Sequence, residues 1–176
     1  MIRYWIPLIS IVLFFMEPIF GLFSPLKLDG EFFYIVPRFL IMFLIFVAVY
    51  YDLKHAVYYG LFFGLLYDVF FIDIIGLYSF LYPAVCLIAG YIVKSIHRNL
   101  VVTTVMTLAL TAIFEFVLYQ FFKLISLVSM PMDVFLHTRL MPTMIANSLF
   151  LLMLGWIFKT VIDARLIERE KNPRLS

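Results

Sequence analysis

The chain has 176 residues, of which 65% are hydrophobic and only 14% charged, and its mean hydropathy is +1.09. A water-soluble domain carries about a quarter of its residues as charge, so a soluble fold is excluded. The net charge of +2 provides no basic footprint for a nucleic acid, and the single cysteine excludes disulfides, cysteine-rich metal sites and redox pairs within one chain.

Apolar runs of about twenty residues, separated by short polar breaks, read as membrane spans. They do not alternate apolar with polar residues, so helices rather than a barrel satisfy the backbone in hydrocarbon. The expected fold class is all-α: a polytopic membrane helical bundle of about six transmembrane helices, one integral-membrane domain over 1–176.

The first span covers about 4–23. Its apolar run is as long as a full span and no small-residue cleavage site follows, so it reads as a retained helix and not a signal peptide. A second span over about 32–51 carries Pro37 and Arg38 in its first turns. After the polar break 52–55, a third covers about 56–72, and Asp73 makes most of the turn before a fourth, about 74–93, which contains Cys86 as a small buried hydrophobe. The break 94–99 leads to a fifth span, about 100–122.

The next region is cut by Pro131 and Pro142. One helix from 132 to 162 would be about 46 Å long, against a hydrocarbon core of about 30 Å. The expectation is therefore a short interfacial or re-entrant segment over 132–140 and a sixth span over about 142–162. A charged cytoplasmic tail, 163–176, pairs Lys159 with Asp163 and Arg165 with Glu168 at helical spacings and extends the last helix.

With both termini inside, nine basic residues face the cytoplasm: Arg3, Lys54, Lys94, Arg98, Lys159, Arg165, Arg169, Lys171 and Arg174. Four lie outside: Lys27, Arg38, Lys123 and Arg139. The positive-inside rule thus puts both termini on the cytoplasmic side of the cell membrane.

Each ionised group at membrane depth costs at least about 2.5–3.5 kcal/mol, so it persists where it is paired, solvated or used. By the helical rise, Glu17 lies about 20 Å, Asp68 about 18 Å and Glu115 about 22 Å from the cytoplasmic start of its helix. Arg38 and Arg139 sit near the outer ends of inward-running segments, and Asn147 lies two turns below Arg139. These six define an outer-half polar cluster, serving as structural ion pairs, as a partner-docking surface or as a small-molecule site. Gly60 and Gly64 have the spacing that lets helix backbones approach closely, with Asp68 continuing their face. Gly76 is expected to pack with them, and the seam either closes the bundle or docks a partner helix.

Thr103, Thr104, Thr107, Thr111 and Gln120 are expected, like Asn147, in interhelical hydrogen bonds. The 21 Phe and 11 Tyr read as lipid-facing bulk and interfacial anchors. His55, His97 and His137 fall in loops on different sides and cannot share a metal. No nucleotide loop, metalloprotease or nucleophile motif appears, so neither cofactor nor catalysis is expected.

The segments Pro37-Arg38-Phe39, Gly64-Leu65-Leu66-Tyr67-Asp68-Val69-Phe70-Phe71, Ile75-Gly76-Leu77-Tyr78-Ser79-Phe80-Leu81-Tyr82-Pro83 and Arg139-Leu140-Met141-Pro142-Thr143 together resemble the MreD family of rod shape-determining proteins of Firmicutes. The likeness covers essentially the whole chain and is most specific in the glycine-bearing hairpin between the third and fourth spans. It implies a non-enzymatic scaffold of the cell-elongation machinery that binds the bitopic protein MreC. MreB filaments, a RodA-type glycosyltransferase and its transpeptidase would share the complex, and peptidoglycan synthesis and cell shape would be its outputs. It also implies a fold similar to the substrate-binding subunits of energy-coupling-factor transporters. The rival function is therefore a vitamin-binding transporter subunit, which needs a roomy outward pocket with convergent polar groups. An intramembrane enzyme lacks a catalytic set.

Overall fold

The structure, a computed structural model, describes residues 4–28, 30–95 and 99–171. Arg3, His97, Arg98, Arg174 and the end of the expected tail lie outside them. Helix α1 (Trp5–Gly21) leads into a hairpin of β1 (Leu26–Leu28) and β2 (Glu31–Phe33), in which Leu26 faces Phe33 and Leu28 faces Glu31. The chain then runs without regular secondary structure through Arg38 and enters α2 (Phe39–Tyr50). The second pass is therefore not helical from residue 32, contrary to the hydropathy reading. Pro37 has no N–H and disfavours helical backbone at Val36, while Phe32 and Phe33 pair in the hairpin.

Helix α3 (Leu53–Tyr67) continues as a π turn over Asp68–Ile72 and stops at Asp73, which is left-handed with φ of 56°. Helix α4 (Leu77–Ser95) returns, and α5 (Leu100–Leu124) starts behind Asn99, whose side chain accepts the Val101 N–H at 3.2 Å. Helix α6 (Met132–Phe135), a π turn over Leu136–Leu140 and α7 (Met141–Lys171) follow one another directly. The expected break between 132–140 and the last span is absent. In an α-helix the residue at 142 would donate to the Thr138 carbonyl; Pro142 cannot. The π turn absorbs the defect, and Thr138 O accepts the Tyr34 N–H instead, at 2.7 Å. The run Met132–Glu168 is about 55 Å long, so it tilts or projects beyond the hydrocarbon.

Four helical runs are long and apolar enough to cross a membrane: Leu53–Ile72, Leu77–Lys94, Leu100–Leu124 and Met132–Glu168. Helix α2 is not. Its 12 residues span about 18 Å, and all of them are buried among α1, α3, α4, α5 and α7. The sequence has no polar face, and a helix apolar all round belongs in a core. The unwound segment 34–38 leads into α2, and in a membrane protein irregular backbone of this kind is tolerated only inside protein.

Aromatic residues fill the space around α2, so they are not only lipid-facing bulk. Phe39 stacks on Phe150 at 3.8 Å, and Phe43 and Phe46 both meet Phe158. Helices α3 and α4 touch backbone to backbone. A Cβ on Gly64 would lie 2.4 Å from Tyr78 O, and one on Gly60 3.1 Å from Pro83 N. That seam is consumed within the chain and leaves nothing for a partner helix. Gly76 does not share in it: a Cβ there would meet nothing within 4 Å, and its φ of +112° serves the turn.

Candidate functional site

The informative site is the end of the bundle where α1 and α3 finish and α2 and α4 begin. Unwound backbone inside a bundle needs partners for its N–H and C=O groups, and Ser24 and side chains of α7 supply several of them. Ser24 Oγ accepts the Ile35 N–H at 2.9 Å. Thr143 Oγ1 accepts the Val36 N–H at 3.1 Å and donates to Tyr34 O at 3.2 Å. The Asn147 amide accepts the Arg38 N–H at 2.9 Å, and donates to Val36 O at 3.0 Å and Thr143 O at 2.9 Å. Glu17, on α1, then accepts the Leu40 N–H at 2.7 Å. Leu40 is in the first turn of α2, where N–H groups lack helical partners and a negative charge is favoured. Glu17 thus caps α2 from outside it.

Asp68 does the same for α4. Its carboxylate accepts the N–H groups of Gly76 at 3.0 Å, Tyr78 at 2.7 Å and Ser79 at 3.0 Å. The π turn that carries Asp68 and the positive φ of Gly76 fold the connection back so that one side chain reaches all three. Asp68 therefore belongs to the α3–α4 hairpin and makes no ion pair with the arginines among the described residues.

The third carboxylate is the ion-pair centre. Arg38 Nε donates to Glu115 Oε1, and Arg139 Nη2 stands 3.6 Å from Glu115 Oε2. Both Arg38 and Glu115 are buried, whereas the Arg139 side chain is one-third exposed. The Arg38 guanidinium also lies over Tyr78 at 5.5 Å and Phe114 at 5.1 Å, a cation–π arrangement that compensates for lost water. Tyr67 stacks on Tyr78 at 5.1 Å and, with Tyr82, completes an aromatic wall.

Of the six expected polar residues, Glu17, Arg38, Glu115, Arg139 and Asn147 converge here, and Asp68 sits one residue contact away through Tyr78. Sequence reasoning missed Ser24, Tyr67, Tyr78 and Phe114 as parts of the site. It also passed over Thr143, although Arg139, Thr143 and Asn147 recur every four residues and so mark one polar stripe on α7. The threonines of α5 differ from expectation. Thr104, Thr107 and Thr111 bond back to carbonyls four residues earlier on their own helix, and Thr103 alone of the four reaches across, to Tyr50 at 3.0 Å. Gln120 is exposed. His55 lies in the first turn of α3, bonded to Asp52 at 2.6 Å, and His137 in the π turn of the last run, so neither is in a loop. No cluster of metal ligands occurs among the described residues.

Comparison with known proteins agrees with the motifs. The family described as rod shape-determining protein MreD matches residues 2–162. The rod shape-determining protein MreD of Bacillus subtilis (strain 168) is 30% identical over 147 residues, covering 82% of this chain and 84% of the relative. No solved structure matches.

Proposed function

The chain belongs to the MreD family of rod shape-determining proteins, and we propose that it is a non-enzymatic membrane scaffold of the cell-elongation complex that binds MreC. Its termini are cytoplasmic, as the nine-to-four distribution of basic residues favours, and the polar end of the bundle faces outward. The observation that carries the reading is how that end is used. Most of its polar groups are engaged by the chain's own backbone and arginines, Asn147 and Asp68 in full and Glu17 and Glu115 through one oxygen each, which suits a rigid platform. Arg139 is the partly exposed member of the ion cluster, and it neighbours the projecting hairpin through the Tyr34–Thr138 bond. Together they form the surface offered to an extracytoplasmic juxtamembrane segment of MreC. The MreB filaments, glycosyltransferase and transpeptidase join through the same assembly.

For the vitamin-binding alternative, the cavity beside Glu17 and Arg38, about 250 Å³, is below the usual 300–1,000 Å³ of small-molecule pockets. The cavity between the hairpin and the last helical run, lined by Glu31, Asp133 and His137, is about 590 Å³. That alternative predicts a response to depletion of one nutrient. A tagged pull-down from membranes tests the scaffold: MreC should co-purify with the wild-type chain and less with Arg139→Ala at equal chain level. Depletion should round rod-shaped cells. Unchanged shape in a strain without a second copy refutes the proposal.

A further inference from the structure

The cavity beside Glu17 contains hydrogen-bonding capacity that the chain itself does not use. Glu17 and Tyr67 both line it, with Pro18, Ile35, Val36 and Phe71 among its apolar walls. Both residues are more than nine-tenths buried. Glu17 spends Oε1 on the Leu40 N–H, yet Oε2 has no partner, and neither has the Tyr67 hydroxyl. Unfilled acceptors in a buried site cost about 1–3 kcal/mol each, so two in one cavity point to an external donor. Arg38 also lines the cavity, but its guanidinium is directed to Glu115. No ion pair to Glu17 occurs among the described residues.

The location identifies the class of donor. Glu17 is four residues, about 6 Å, from the end of α1, about one turn inside that end of the bundle and within reach of a headgroup that dips below the interface. The flanking Phe20, Phe23, Phe70 and Phe71 are exposed, and in a bilayer these rings meet acyl chains. We propose that this cavity binds the primary ammonium headgroup of an aminophospholipid such as phosphatidylethanolamine, the ammonium donating to Glu17 Oε2 and the Tyr67 hydroxyl. A headgroup suits 250 Å³, and a charge-assisted bond to a carboxylate is among the stronger ones. The inference is independent of MreC binding, because it is read on the purified chain alone.

The test is native mass spectrometry of the full chain in detergent with phosphatidylethanolamine, phosphatidylcholine and phosphatidylglycerol of identical acyl chains. The quaternary headgroup of phosphatidylcholine keeps the charge but has no N–H. Phosphatidylethanolamine should be retained about tenfold better than either, the ratio expected for one charge-assisted hydrogen bond. Glu17→Gln still accepts the Leu40 N–H but turns the orphan acceptor into a donor, and should abolish the preference. Tyr67→Phe should reduce it with the ring stack intact, and it keeps the test open if Glu17→Gln does not fold. Equal retention of the three lipids, or a preference unchanged in both variants, overturns the proposal.

Discussion

Replacing Asp68 with alanine removes the acceptor of three N–H groups at 2.7–3.0 Å. Tyr78 N is the most sheltered, its bond being wholly buried, while those of Gly76 and Ser79 are part-buried and open to compensation by water. Side-chain hydrogen bonds measured in a helical membrane protein average about 0.6 and reach about 1.7 kcal/mol, which for three gives about 2–5 kcal/mol. Loss of the negative charge at the start of α4 adds about 0.3–1 kcal/mol. Asp68→Asn keeps one acceptor oxygen and should cost roughly half as much. Equilibrium unfolding in mixed micelles measures both. If Asp68→Ala lies within about 0.5 kcal/mol of wild type, the three short distances do not report a cap and the account of this hairpin is wrong. The same variant separates capping from docking: surviving folded protein should still bind MreC, because Asp68 presents no free surface.

Gly64→Ala should be poorly tolerated, since its Cβ would strike backbone atoms of Tyr78 and Ser79. The overpacking costs about 1–3 kcal/mol and is read as a fall in melting temperature. Gly155→Ala, whose nearest neighbours lie at 3.6–3.8 Å, is the neutral control. Arg38→Ala strands buried Glu115 and should cost about 3–5 kcal/mol, whereas Arg139→Ala, at a side chain one-third open to solvent, should cost about 1 kcal/mol or less; similar losses from both would contradict the buried pairing. Asn147→Ala removes the acceptor of the Arg38 N–H and should raise amide exchange at Arg38 more than at Val36, whose N–H is held by Thr143.

Hydropathy made the membrane class and most helices legible, because the bilayer demands long apolar runs whatever lies inside the bundle. It failed at residues 32–38. A buried, unwound strap is as apolar as a span, and apart from Ser24 its side-chain partners, Thr143 and Asn147, lie more than a hundred residues away. The gathering of Glu17, Arg38, Glu115 and Arg139 at one end followed from counting depth along alternating helices. Their pairing did not, since depth carries no azimuth: Asp68 shares that depth but faces α4. Gly60 and Gly64 were readable as a close-packing pair, while Gly76 was misassigned because spacing alone cannot tell a contact from a left-handed turn. The aromatic lining of α2 was hidden by the same ambiguity, as phenylalanine suits both lipid and core.

Synthesis from the N-terminus gives the strap around Val36 a particular history. It reaches the membrane early, yet Thr143 and Asn147, which answer its N–H and C=O groups, are made more than a hundred residues later. Until the final helix is threaded, the centre of the molecule is an open slot with raw peptide groups facing grease or trapped water. Chains cut short before Asn147 should therefore be cleared by quality-control proteases even though the helices before it have already been made, and the last helix acts as the keystone of assembly.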